Sequence, residues 1–324
     1  MTKPVAKQEF SDWAGVRVLV TGAAGFIGSH LSERLATLCA QLTLVDDYSN
    51  ASWLRNQWPV GLVISVARVC DATLTKMIEA FAPTVIFHLA GCAYAAGSVD
   101  DPERDIKGNL ASTFELLEAL KRIHFDGRLV YASSAAVYGE PYCIPITEDH
   151  PTLPISPYGV SKLAAERYVA VYSCLYGIPA VSVRLFSVYG PRQRKQVVYD
   201  IINKLQSSTS PVFLGDGTQK RDLVYVSDVI DALLLIARRG PTDGSVYNVC
   251  SGTGTTIREL VERISTILEV STPIKFSGQT RGGDPQCWIG SPAKFHELGF
   301  RTDVTLLDGL ERTVRWAART NVKC

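Results

Sequence analysis

Opposite charges almost cancel in this chain, which carries a formal net charge of +1. No broad positive field is therefore available to hold nucleic acid or anionic lipid, and any anion must be recognised locally. Long apolar runs are also missing: the longest, Ala232 to Ala237, falls far short of the roughly 20 residues needed to span a bilayer. The stretch from Met1 to Gly15 contains Lys3, Lys7, Glu9 and Asp12, leaving no apolar core for a signal peptide. A cytoplasmic protein with no membrane contact is expected. The eight cysteines include no Cys-x-x-Cys pair and the five histidines no His-x-x-x-His pair, so no metal site is expected. Most of the thiols sit in apolar or helix-like stretches and read as reduced packing residues. There is no internal repeat, and Ser207 to Ser210 is too brief for a linker.

What the chain does have is alternation. Strand-like runs at Val16 to Thr21, Leu42 to Val45, Leu62 to Val66, Thr84 to His88, Arg128 to Ala132 and Ala180 to Leu185 are separated by helical patterns. The helices are expected at Phe26 to Leu38, Thr73 to Phe81, Pro102 to Arg122 and Tyr158 to Tyr176. Strands this uniformly apolar need cover on both faces, which predicts an α/β fold with a Rossmann-like, doubly wound parallel sheet. Beyond Gly190 the pattern is irregular, with helices near Asp228 to Arg238, Ile257 to Glu269 and Leu306 to Arg319. The expected division is a cofactor domain over 1–190, with returning segments near 222–250, and a smaller, partly interleaved α/β substrate domain over 191–324.

The first strand runs directly into Gly22-Ala23-Ala24-Gly25-Phe26-Ile27-Gly28, where an amphipathic helix begins. Glycine serves such a loop because the chain turns tightly, its backbone approaches a pyrophosphate, and the helix packs close to the strand. The helix N-terminus then receives the phosphates. The second strand ends Val45-Asp46-Asp47, about 20 residues past the loop, where a carboxylate accepts from both ribose hydroxyls and repels a 2'-phosphate. NAD is expected rather than NADP, with simple loop capping as the other reading of Asp46. Asp71, after the third strand, is a candidate for the adenine amino group or an ordinary surface carboxylate.

The fifth strand ends Ser133-Ser134-Ala135-Ala136-Val137-Tyr138-Gly139, and Ser156-Pro157 introduces a helix that begins Tyr158-Gly159-Val160-Ser161-Lys162. Tyr158 and Lys162 share one helical face. A phenol of pKa about 10 is a poor base at neutral pH, but an adjacent ammonium and a positive nicotinamide both favour the phenolate. Lys162 would supply that charge and Ser134 would hydrogen-bond the same sugar oxygen. Ser133 stands between a supporting and a structural role.

These motifs resemble the extended short-chain dehydrogenases/reductases, and among them the NAD-dependent epimerase/dehydratase family, over nearly the whole chain. The resemblance also takes in His88-Leu89-Ala90-Gly91, Arg184-x-Phe186-x-x-Tyr189-Gly190-Pro191, Gly215-Asp216-Gly217-x-Gln219-x-Arg221-Asp222 and Arg281-x-Gly283-Asp284. It implies that Leu89 and Ala90 line the cofactor site with Lys162, and that Ser187, Arg192, Arg221 and Arg281 meet a nucleotide-diphosphate sugar, the last two clamping its diphosphate. Ser187 replaces an asparagine common in the family, and the stretch from Gln193 to Tyr199 is shorter than the usual substrate loop. Ala135-Ala136 stands where dehydratases carry Asp-Glu, so reversible oxidation at sugar carbon 4, with a freely turning 4-keto sugar, is the expected reaction. Trp288 and Cys287 would border the sugar, or belong to the core. Alternatives are a 4,6-dehydratase, an NADPH-consuming 4-keto-sugar reductase, or a non-catalytic NAD-binding regulator. The resemblance also implies a homodimer built from the Pro102 and Tyr158 helices.

Overall fold

The computed structural model describes residues 13–38, 40–49, 64–69, 72–207, 210–213, 215–271, 273–279 and 285–321. Along the chain, β1 (Arg17–Thr21), α1 (Phe26–Thr37), β2 (Gln41–Asp46), β3 (Ile64–Val66), α2 (Ala72–Phe81) and β4 (Val85–His88) come first. Next are α3 (Ala95–Asp100), α4 (Pro102–Ile106), α5 (Ser112–Arg122), β5 (Arg128–Ser134), α6 (Pro157–Tyr176), β6 (Ala180–Leu185) and β7 (Ser187–Tyr189). The remainder comprises α7 (Val197–Ser207), β8 (Val212–Phe213), β9 (Lys220–Tyr225), α8 (Val226–Arg239), β10 (Asp243–Val249), β11 (Gly254–Thr256), α9 (Ile257–Ile267), β12 (Lys275–Phe276), β13 (Cys287–Trp288), α10 (Ala293–Glu297) and α11 (Leu306–Asn321).

Period-two alternation sends neighbouring strand residues into opposite layers. Val18 and Val20 of β1 join one core with Leu31 and Leu35 of α1 and Leu233 of α8, whereas Leu19 joins Leu116 and Leu120 of α5 and Val169 of α6 in the other. The seven strands between these layers run parallel in the order β10-β6-β5-β4-β1-β2-β3. The chain builds outward from β1 to β3 and then crosses to β4 on the other side of β1, so the sheet is doubly wound and Rossmann-like, with its switch point between β1 and β4. The seventh strand, β10, comes late in the chain and pairs with β6 at the edge of the sheet.

Sequence and structure differ most between Pro102 and Arg122. The expected continuous helix starts well, with Pro102 in its first turn and the Asp101 carboxylate accepting from Arg104 N, but Lys107–Ala111 form a π-turn between α4 and α5. Within this turn the Asn109 side chain reaches back to Cys92, accepting from its N at 3.0 Å and donating to its O at 3.3 Å. Such wide turns recur at functional sites. Helices α3, α7 and α10 have no counterpart among the expected elements. The thiol expectation holds for buried Cys250, while Cys143 and Cys174 are exposed; these three, Cys92 and Cys287 are all free.

A smaller sheet grows from the end of β6. It has the order β11-β9-β13, with β7 paired to β9. Fully buried Asp222 of β9 fastens it, accepting from Ser251 N and Oγ at 2.7 Å, Gly252 N at 2.9 Å and Gly290 N at 3.1 Å. Four donors satisfy a carboxylate that would be very costly to bury unpaired. Beneath the end of β5, Arg184 makes a bidentate pair with Glu166, at 2.6 and 3.0 Å. Ser133 Oγ donates to Glu166 at 2.7 Å, and Arg184 also donates to Tyr138 OH at 2.8 Å. Removing one partner from a buried pair strands the other charge, so Glu166→Ala is expected to cost about 3–5 kcal/mol. Urea denaturation of the variant checks this; a loss below about 1 kcal/mol would show the pair to be dispensable.

Candidate active site

The glycine loop occupies the switch point. Gly22, at φ +71°, is forced: a Cβ there would stand 2.6 Å from Ala90 N and 2.7 Å from Leu89 C, inside the turn that leaves β4. Thr21 Oγ1 bonds His88 Nδ1 at 2.7 Å, and His88 Nε2 bonds Thr113 Oγ1 at 3.1 Å, which locks the two strand ends and α5 together. Burial holds His88 down at about 3, so the ring is a neutral spacer. The first turn of α1 has no acidic residue, and Gly25 at its N-cap offers no side-chain cap. Backbone N–H groups are thus left for an anion. Asp46 closes the other side: Oδ2 accepts from Ala24 N at 2.9 Å and Oδ1 from Tyr48 N at 2.6 Å. Each oxygen keeps an acceptor site for a hydroxyl, so loop capping and ribose binding are compatible at Asp46 rather than alternatives. Burial raises its carboxyl, and these backbone bonds pull it back.

Around this loop lies a hollow of about 630 Å³ whose walls include Gly22, Gly25, Asp46, Leu89, Ala90 and Gly91. It continues, through shared Gly25, Leu89 and Gly91, into one of about 220 Å³ bordered by Phe26, Ile27, Gly28, Ser134, Tyr158 and Lys162. Ser134 and Tyr158 also face a third, of about 330 Å³, which contains Ser187, Arg221 and Trp288. The three make one corridor, and Tyr158 stands at its waist.

Helix α6 delivers Tyr158 in its first turn because Ser156 caps it, accepting from Gly159 N at 3.2 Å, with Pro157 alongside. Tyr158 N donates to Ser98 Oγ at 3.0 Å, tying that turn to α3. Ser134, at the N-cap of the short turn Ala135–Tyr138, accepts from Ala136 N at 3.2 Å, and its hydroxyl favours the ionised form of the Tyr158 phenol. Lys162 Nζ donates to Ala132 O at 2.8 Å and lies 5.0 Å from the centre of the Tyr131 ring. Burial pushes the Tyr158 phenol up to about 12 against the pull of Ser134, and burial also lowers Lys162 to about 8. The lysine alone does not make the phenol acidic; a positive ring beside it would have to supply the remainder.

At the far end, buried Arg221 is held by Nη1 to Lys220 O at 2.9 Å, with its guanidinium 5.8 Å from the Trp288 ring. Trp288 Nε1 donates to Gly139 O at 2.8 Å. Trp288 borders the corridor while its neighbour Cys287 does not, as alternation along β13 requires. Arg192, at a positive φ of +71°, borders the middle hollow and donates to Glu33 of α1 at 2.6 Å. Asp71 and Arg281 lie outside the described residues. Sequence reasoning passed over Cys92, Asp105 and Asn109; the visible signal was Gly108-Asn109, two poor helix formers inside an otherwise helical pattern.

Fold and corridor together define a Rossmann-type dinucleotide-binding protein of the short-chain dehydrogenase class. Residues 18–250 match the model of the NAD-dependent epimerase/dehydratase family. A UDP-glucose 4-epimerase of Mycolicibacterium smegmatis is 35% identical over 93% of this chain and 98% of its own length. A putative UDP-glucose 4-epimerase of Methanocaldococcus jannaschii is 33% identical over 94% and 99%. The Thermus thermophilus UDP-glucose 4-epimerase solved with NAD superposes with a TM-score of 0.85 at 32% identity, covering 93% of this chain and 98% of that one. The chain belongs to the NAD-dependent epimerase/dehydratase family, and NAD is its cofactor. The tight Gly22 turn, the uncapped start of α1 and the Asp46 carboxylate fit that dinucleotide. In Gly22→Ala the loop must shift away from Ala90, and calorimetric titration should show NAD affinity reduced at least about tenfold; unchanged affinity would mean that the loop does not hold the dinucleotide.

Proposed function

We propose that this protein is a nucleotide-sugar 4-epimerase acting through a bound 4-keto sugar. The observation that carries the reading is the shared wall: Ser134 and Tyr158 border both the cofactor end and the far end of one corridor. Bound NAD would supply a reversible hydride acceptor at the sugar carbon. Tyr158 receives the proton of the 4-hydroxyl, Ser134 hydrogen-bonds the same oxygen, and Lys162 keeps a positive charge beside the pair. Ala135 and Ala136 bring no further acid or base, which favours inversion at one carbon over dehydration. Gly22, Gly25, Phe26, Ile27, Gly28, Asp46, Leu89, Ala90 and Lys162 serve the cofactor, with Asp71 kept as a candidate for the adenine. Ser187 and Arg221 serve the substrate, and Arg281 is kept as the second diphosphate clamp. Arg192, paired with Glu33, is better read as a tie between the loop and α1. Trp288, wide and half-buried, limits bulk on the sugar. Residues 1–190 with the segments near 222–250 form the cofactor-binding part, and the remainder the substrate part.

UDP-hexoses come first among substrates to test, since the relatives above carry that name. Incubation with UDP-, GDP-, ADP- and CDP-sugars and NAD, followed by proton NMR at carbon 4, tests the activity directly; a stable keto product would indicate a dehydratase, and strict NADPH consumption a reductase. In Tyr158→Phe, kcat is expected to fall by about 10²–10⁴-fold, as for loss of a general base. Because burial holds Lys162 at about 8, its ammonium is lost as pH rises through that value, and turnover should decline on the alkaline side. A kcat that stays flat up to pH about 10 would remove the lysine charge from the mechanism.

A homodimer is part of this reading. Phe114 of α5 and Tyr168, Val171, Leu175 and Tyr176 of α6 are exposed large apolar or aromatic side chains on two adjacent helices, a face suited to a four-helix interface between two copies. Light scattering should give twice the chain mass, reverting to one chain mass in Leu175→Asp/Tyr168→Glu; a monomeric native protein removes the dimer. No helix among the described residues is long and apolar enough to cross a membrane, and free thiols agree with the cytoplasmic location proposed here.

A further inference from the structure

No step of this reaction uses Asp105, yet the side chain is 2% exposed and lies just before the π-turn, on a helix packed against α6. Its Oδ1 accepts from Asn109 Nδ2 at 2.8 Å. Its Oδ2 is enclosed and has no hydrogen-bond partner among the described residues. Lys162, buried one turn after Tyr158, holds its ammonium against Ala132 O at 2.8 Å on the cofactor side. A Cβ on Gly91 would stand 2.5 Å from Asn109 Oδ1 and 3.5 Å from Lys162 Nζ, so the asparagine that bonds Asp105 and the ammonium both lie against Gly91. A buried carboxylate with one unpartnered oxygen thus lies near a buried ammonium, with Asn109 between them, and each would be costly uncompensated.

We propose that Asp105 is a positioning residue for the reaction, a buried counter-ion that keeps the Lys162 ammonium charged and directed at the end of β5. The inference rests on the reading of Lys162 as the charge beside Tyr158. The other groups around the ammonium do not answer it. Tyr158 and Tyr131 are buried phenols whose pKa burial raises. His88 of β4 is neutral, Cys92 is a half-buried thiol, and Glu166, one turn along α6, is occupied by Arg184 and Ser133. Burial lowers Lys162, and Asp105 acts against that. Burial in turn raises the Asp105 carboxyl, which Ser161, Asn109 and Lys162 pull back down.

The test is an NMR titration of the full-length protein labelled with carbon-13 at the lysine ε-position, the Lys162 signal being assigned by its disappearance in Lys162→Arg. In Asp105→Asn the Lys162 midpoint should fall by about one pH unit, and the alkaline limb of kcat should move down with it while KM for the sugar stays the same. A folded Asp105→Asn protein with an unmoved midpoint overturns the proposal. If that variant does not fold, the unsubstituted protein decides, since its Lys162 signal should show a second, acidic inflection as Asp105 takes up a proton; a single inflection overturns the proposal. The titration needs no turnover. A shifted midpoint in a protein without epimerase activity supports Asp105 and refutes the proposed reaction, whereas an active protein with an unmoved midpoint refutes Asp105 alone.

Discussion

Water is kept away from a phenol and an ammonium at the end of β5, and most of the surrounding structure answers that constraint. Exclusion of water is useful to catalysis because charge interactions strengthen as the local dielectric falls. It is also expensive, since each buried ionisable group resists its charged form. Tyr158 is driven up to about 12 and Lys162 down to about 8 by the same cause. At neutral pH the phenol is therefore held protonated while the ammonium stays largely charged, and ionising the phenol needs the positive charge of a cofactor ring; the Asp105 carboxylate, as proposed, keeps the ammonium charged while itself opposing the phenolate.

Holding two such groups in place requires that everything beneath them be rigid. The Ser133, Glu166, Arg184 and Tyr138 bonds join β5, α6 and β6 directly under the site. Tyr138 OH passes the chain of bonds on to Asn248 of β10 at 2.7 Å, so the last strand of the sheet is tied to the first turn after β5. Asp222 plays the corresponding part in the smaller sheet, fastening β9 to the loops after β10 and β13. Arg221 is adjacent to that anchor. The Arg221 cation thus lies next to one buried, multiply bonded carboxylate, and the helix that carries Tyr158 holds another, Glu166.

Much of this was legible in the residues. Apolar runs separated by amphipathic stretches define a parallel sheet because a strand apolar on both faces has no other stable surroundings, and the glycine loop, Asp46, Ser134, Tyr158 and Lys162 all sit at strand ends or in a first helical turn, where spacing along the chain is nearly spacing in space. The reading was weaker where the partner is remote in sequence. Arg192, which the resemblance gives to the substrate, also pairs with Glu33, 159 positions away. The helix from Pro102 to Arg122 was expected to be regular, but Asn109 prefers the Cys92 backbone, 17 positions away.

Local pattern by itself determined the layer architecture, the switch-point loop and the pairing of a phenol with an ammonium one turn apart, since these depend on periods of two and 3.6 residues and on glycine backbone geometry. Only the tertiary structure decided how acidic those groups are, which way Arg192 points, that Trp288 and not Cys287 faces the corridor, and that Asp105 lies buried beside the catalytic helix. Burial and the neighbours it brings together arise from elements far apart in the chain, and a titrating group responds to the neighbours it has in space.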